Sequence, residues 1–347
     1  MTWGMRGIAV ALAGVLGLLT RTASPDLAGF AAQASVLLHG HLADVYAVPW
    51  NQAGPAQLLI SAVLAIGAEP GGTASVAMIV LVNGGLVLLA MWLCERLGGP
   101  DSRRRELVAA LLALLWIAAP LPWNGHPAEL AVPALWASAI VLQRRGRDLL
   151  AALALALGTA IAPWAILGLP GLLAAAPIGR AIRTGLIAAV LGVGCYLPFV
   201  LTGHFAMFSV HWETSGSTIA ALLGVPSVTW WLRVGQGVVV ALGVAAAAWW
   251  SRNERLAVAV VPLVAALLRV VTDPVWHPYY WYPVAVASLL LIAMVPASRL
   301  LIAGVLGYLA LLSESADLTV PGPLICLAVL YPVATARAVR LPRYDLR

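Results

Sequence analysis

Residues 74–95 read ASVAMIVLVNGGLVLLAMWLCE, a stretch with no charge before its final Glu95. A hydrocarbon layer about 30 Å thick is crossed by about 20 consecutive apolar residues in an α-helix. This segment therefore has the length and chemistry of a membrane-crossing helix, and the rest of the chain resembles it. Of the 347 residues, 62% are apolar and 10% are charged. A soluble domain carries about 45–50% apolar and about 25% charged residues. That composition excludes a soluble enzyme, a nucleic-acid binder and a disordered protein.

Outward from 74–95, apolar runs recur at roughly 6–20, 106–121, 128–143, 149–177, 184–201, 228–250, 257–271, 283–298, 300–313 and 322–336. The run 149–177 is bounded by arginines at both ends, so it must go in and return. It is expected to form two short arms around Ala162-Pro163-Trp164, or a re-entrant hairpin. Residues 53–67 are apolar but short and are expected to be a half-inserted helix. The opening run resembles a signal peptide, but Arg21 spoils the cleavage region, so an uncleaved first span is expected. The expected fold class is thus an all-α polytopic membrane protein with about 12 transmembrane helices in one domain, 1–347. All 20 basic residues are arginine, and this threading puts 17 of them on one side. Only Arg21, Arg233 and Arg269 fall elsewhere. Positively charged residues mark the cytoplasmic side, so both termini are expected inside. The external loops are then about 21–52, with short interfacial helices, 202–227 and 272–282. Cys94, Cys195 and Cys326 sit singly in apolar runs and suggest neither a disulfide framework nor a zinc site.

The same threading collects all six histidines and eight of 14 acids on the outer side. Three outer segments stand out. Ser24-Pro25-Asp26-Leu27 continues to His39-Gly40-His41 and on through Asp44, Tyr46 and Trp50-Asn51-Gln52. The second is His211-Trp212-Glu213-Thr214-Ser215-Gly216-Ser217. The third is RVVTDPVWHPYYWYP, 269–283, where Pro274, Pro278 and Pro283 forbid a continuous helix.

An aspartate just after the first span, a Gly-x(5)-Tyr stretch at 40–46 and a late Pro-x-Trp-His element at 274–277 resemble the GT-C superfamily of integral-membrane glycosyltransferases. The chain is most similar to glycosyltransferase family 87, the polyprenol-phosphate-sugar-dependent mannosyl- and arabinofuranosyltransferases of actinobacterial envelopes. The likeness covers most of the chain as architecture and three short motifs as residues. It departs from the family where an Asn-Gln-Ser sequence is usual and His211–Ser217 stands instead. The resemblance implies transfer of a sugar, mannose first, from a polyprenyl-phosphate donor to a glycolipid or polysaccharide acceptor. The transfer would occur outside the cytoplasm, at the plasma membrane, with no cofactor. It implies Asp26 as general base and a donor-phosphate region at Trp276 and His277.

The chemistry agrees with this. A polyprenyl phosphate leaves without a general acid, so one carboxylate suffices and the reaction inverts. The departing phosphate needs cations or fixed donors, which Arg233, Arg269 and His277 can supply. Each candidate has a second reading. Asp26 either acts as the base or caps the helix after Pro25, with Asp44 as the runner-up base. Arg269, whose place in an apolar run costs about 2.5–3.5 kcal/mol, either binds phosphate or pairs with Asp273 four residues on. Arg233 is a ligand or snorkels to the interface. His277 contacts substrate or bonds a loop carbonyl. His211, Trp212 and Glu213 belong to the acceptor site or to a solvated loop. Tyr46, Trp50, Asp273 and Trp276 complete the substrate-binding candidates, and tryptophans also serve as interface anchors. His39, His41 and Asp44 lack a convincing metal-ligand spacing, so no metal is expected. The competing function is a transporter or flippase for a lipid-linked sugar; a non-catalytic scaffold is the third.

Overall fold

The computed structural model describes residues 3–21, 24–68, 72–98, 102–118, 120–209, 212–252 and 254–295. Among these, structure is helical throughout, and the one strand-like contact is an isolated bridge between Glu213 and Ser227. Helix α1 (Trp3–Thr20) is followed by α2 (Pro25–Leu38) and the single turn α3 (Leu42–Val45). Then come α4 (Pro55–Ala68), α5 (Thr73–Gly98), α6 (Ser102–Ala118), α7 (Pro127–Arg144) and α8 (Asp148–Ile161). A 3₁₀ stretch, Pro163–Ala174, leads to α9 (Ile178–Gly194), α10 (Leu197–Leu201), α11 (Ile219–Leu222), α12 (Trp230–Trp250) and α13 (Ala257–Thr272). A 3₁₀ turn, Pro278–Trp281, precedes α14 (Tyr282–Met294).

Proline sets many of these boundaries. Pro25, Pro55, Pro127, Pro163 and Pro278 each open their segment. There the missing N–H has no partner to lose and the fixed φ suits a helix. The expected break at 162–164 is present: Ala162 is extended (φ −147°, ψ 130°), and the chain turns from α8 into the 3₁₀ stretch. Trp136 of α7 holds that stretch. Its indole N–H donates to Ala165 O at 2.8 Å, over Gly168, where a Cβ would sit 2.1 Å from the indole nitrogen.

Two helices are long and apolar enough to cross a membrane, α5 over Thr73–Glu95 and α12, or three spans if the bent pair α1–α2 counts as one. Other apolar helices, among them α4, α8 and α13, are shorter. The runs 300–313 and 322–336, and the end of 283–298, lie outside the described residues. The core is rich in alanine: α13 and α14 are buried along nearly their whole length, against α5, α7 and α12. Small side chains let helices approach closely enough to pack without large apolar layers between them. Bulky apolar residues point outward instead, with Leu81, Val190 and Trp231 among the most exposed.

The arginine-bearing turns meet at one end of the bundle. Arg144 donates to Ala174 O (3.2 Å) and Glu254 O (2.7 Å). Arg180 forms a bidentate pair with Asp148, at 2.8 and 2.6 Å. Arg252 donates to Ala176 O at 3.4 Å. The opposite ends of α7 and α12, with the starts of α2 and α4, converge on a cavity.

Candidate functional site

Asp26 lies in the first turn of α2, but it is not the cap. Ser24 Oγ accepts from the Leu27 N–H at 3.0 Å and closes the helix start. That leaves the Asp26 carboxylate for another partner, and His126 Nε2 lies 2.8 Å from its Oδ2. The approach depends on Gly125. Its φ is +84°, and a Cβ there would meet the Leu27 nitrogen at 2.5 Å. Only glycine adopts that conformation without penalty and fits that gap. The His126 hydrogen bond holds Asp26 below the usual carboxylate range, an effect that outweighs partial burial; His277 adds to it more weakly.

His126 continues into a stack of rings. It lies on Tyr279 with centroids 3.6 Å apart, and Tyr279 lies on His277 at 5.0 Å. Burial pushes His277 below the ordinary histidine range, so its ring is neutral at physiological pH. His126 and His277 have the same local setting: each is the N-cap of a segment that opens on proline. A residue before proline is held out of the α region, His277 in an extended conformation (φ −135°, ψ 138°) and His126 in an intermediate one (φ −114°, ψ 61°), and both rings border a common space. That space is a cavity of about 770 Å³, on which Asp26, His126, His277 and Tyr279 all abut.

Two ion pairs form the far wall. Arg269 binds Glu129 at 2.5 and 3.0 Å, and both are buried. Its guanidinium lies 3.9 Å from the Trp164 ring centroid and 4.4 Å from that of Tyr280. The alternative reading of Arg269, a pair with Asp273, is therefore corrected. Asp273 is extended rather than helical (φ −69°, ψ 128°), so four-residue helical spacing does not apply to it. Its carboxylate accepts from Arg233 Nη1 (3.0 Å to each oxygen), from Gln236 (3.1 Å) and from Val275 N (3.0 Å). Arg233 bonds through Nη1 alone among the described residues, and its guanidinium carbon lies 6.0 Å from the Trp212 ring centroid.

Of the residues expected at the site, Asp26, Trp50, Trp212, Glu213, Arg233, Arg269, Asp273 and His277 line the cavity. Three do not. Asp44 is exposed on α3. Tyr46 is buried, donates to Ala53 O at 2.8 Å and packs edge-on against Phe199. Trp276 is not part of the cavity lining; its backbone N–H donates to Ser215 Oγ at 2.9 Å. His211 lies outside the described residues. His126, Glu129, Trp164, Tyr279, Gln52 and Gln57 line the cavity and were not expected there. Glu129 carried a signal: an acid inside an apolar run calls for a buried partner, and Arg269 and Arg233 were the arginines inside apolar runs on that side.

Compared with protein families, curated proteins and solved structures, the chain finds no match. The site must therefore be read from its own chemistry. Four carboxylates and two guanidiniums line it. Five segments of twelve or more residues, α2, α4, α7, the 3₁₀ stretch 163–174 and α12, begin at its wall. Helix starts carry positive dipole ends that partly offset the surplus of carboxylates; those of α2 and α12 are capped by Ser24 and Thr229.

Proposed function

We propose that the chain is a GT-C-like membrane glycosyltransferase. It transfers a sugar, with mannose the first to test, from a polyprenyl-phosphate donor to a hydroxyl of a glycolipid or polysaccharide. In this reading the bundle has about twelve spans, both termini and the arginine-rich end are cytoplasmic, and the cavity opens on the extracytoplasmic side. Asp26 is the general base, and the reaction inverts.

The observation that carries the reading is that Asp26 and the segment 273–280, some 250 residues later, line one cavity and are joined through His126 and Tyr279. A carboxylate that stays ionised is suited to take the proton of an attacking hydroxyl. Arg233, in the far wall, has donors to spare, and His277, at the end of the ring stack that starts at Asp26, has a neutral ring with one N–H. Together with the helix starts they can meet the charge that builds on a departing phosphate. Arg269 is committed to Glu129 and fits a supporting role, holding Trp164 and Tyr280 in place, better than direct phosphate binding.

The test is transfer in proteoliposomes from radiolabelled polyprenyl-phosphate mannose or arabinose, with lipid products analysed. Wild type should give a labelled product and Asp26→Asn none, with the variant still folded. Wild-type turnover by Asp26→Asn would remove the assignment.

A further inference from the structure

The cavity is chemically divided. Asp26 and His126 adjoin both a charged set, the pairs Arg233–Asp273 and Arg269–Glu129 with Glu213 on the loop before α12, and a set of uncharged side chains, Phe30, Trp50, Gln52 and Gln57. This uncharged lobe is contiguous. The Gln57 Nε2 reaches Gly125 O, next to His126; Phe30 meets the His126 ring edge-on at 5.6 Å; and Trp50 stacks on Phe30 at 4.9 Å. Gly29 admits the indole of Trp50, which would lie 2.6 Å from a Cβ at that position.

Two amides face this lobe with spare capacity. Gln57 is buried (3% exposed), and Gln52 is half-buried; both line the cavity. Each makes one long bond, 3.4 Å, to a backbone carbonyl. An amide has two N–H donors and an accepting oxygen, and a donor–acceptor distance of 3.4 Å is beyond the usual range of about 2.7–3.2 Å. A guest with hydroxyls would better satisfy them, and an indole face beside amides is a surface for the C–H side of a sugar ring. A phosphate finds no cation here.

We infer that the lobe formed by Trp50, Phe30, Gln52 and Gln57 is the acceptor subsite, and that it takes a neutral sugar ring presenting one hydroxyl to Asp26. The inference rests on the transferase reading above and gives it direction. In an inverting displacement the attacking oxygen and the leaving phosphate lie on opposite faces of the donor sugar. The acceptor oxygen gives its proton to Asp26 as it bonds to the anomeric carbon, and the bond to the phosphate oxygen breaks with its electron pair. The uncharged side next to Asp26 must then hold the acceptor, and the Arg233 side the donor phosphate.

The probe is octyl α-mannoside, with radiolabelled polyprenyl-phosphate mannose as donor. Gln57→Ala and the exposed-site variant Trp50→Ala should each raise the KM for octyl α-mannoside about three- to tenfold, the worth of one hydrogen bond or ring contact. The donor KM should stay within twofold. Unchanged acceptor KM in both variants, or a rise in donor KM instead, overturns the inference while wild-type turnover keeps the transferase reading. Equilibrium dialysis of labelled octyl α-mannoside without donor separates the reverse case. Weakened binding in these variants but not in Arg233→Gln supports a sugar subsite even if no transfer occurs, whereas equal binding in all three rejects it. If Gln57→Ala does not fold, Trp50→Ala carries the test.

Discussion

Asp26 and His126 are a hundred residues apart, and their contact decides how the site titrates. The hydrogen bond from His126 favours the ionised carboxylate and lowers its folded pKa. The stabilisation is present above the ordinary carboxylate pKa and is lost as pH falls through the depressed one. Activity that needs ionised Asp26 should therefore persist to lower pH than a free carboxylate allows. In His126→Ala the acid limb of the kcat/KM profile should move to higher pH, and His126→Gln, which keeps an N–H donor, should restore part of the shift. An acid limb unmoved in His126→Ala would show that the contact does not tune the base. Asp26 was legible as a candidate from its place after the first apolar run, and Ser-Pro-Asp as a helix start, although the cap is Ser24 and not Asp26. Its partner was not, because nothing in the local pattern 121–127 says which distant carboxylate that turn will meet. Arg269 teaches the same point. The neighbour in sequence, Asp273, was an evident partner, yet the bidentate geometry available from Glu129 on α7 prevailed once residue 273 left the helix. Buried ion pairs need such geometry to offset desolvation.

At the scale of elements, the start at Ser24-Pro25 and the break around Ala162-Pro163 were readable, since proline constrains the backbone locally. The break at 162–164 followed from the arginines that flank 149–177. The packing of segments against one another came from small residues whose role depends on the neighbour they meet. Gly54 illustrates this: its N–H donates to Ile161 O at 2.9 Å, and a Cβ would lie 2.1 Å from Ala160 O, so the start of α4 docks on the end of α8. Gly125 has the sharper consequence. Alanine there meets both the left-handed backbone, which costs about 1–2 kcal/mol, and the α2 backbone 2.5 Å away. Gly125→Ala should lower the thermal midpoint and reduce turnover together, because the turn can relieve the clash only by withdrawing His126 from Asp26. Gly40, also at positive φ but with open space around it, is the control. Gly40→Ala should bear the backbone cost alone and keep full turnover, and equal losses at the two positions would contradict the role given to residue 125.

Across the whole molecule, two ends of opposite chemistry are separated by helices of membrane-crossing dimension. Helix α7 runs from Pro127, next to His126 at the cavity, to Arg144 at the arginine-rich end, 18 residues or about 27 Å. Helix α12 runs from the cavity residue Trp230 to Trp250, 21 residues or about 31 Å, with paired tryptophans at both ends. These lengths match a hydrocarbon layer of about 30 Å, and tryptophans at both ends suit its two interfaces. Arginine count alone predicted which loops share a side, and the hydrogen bonds of Arg144, Arg180 and Arg252 join those turns at one end. The sidedness follows if the positive end faces the cytoplasm. In a variant with the three native cysteines replaced, a single cysteine at exposed His39 should react with a membrane-impermeant maleimide on intact cells. One at exposed Arg147 should react only after permeabilisation. Labelling of the second site alone on intact cells would invert the topology. The cavity would then face the cytoplasm, where a donor sugar carried on a polyprenyl phosphate in the outer leaflet could not reach Asp26.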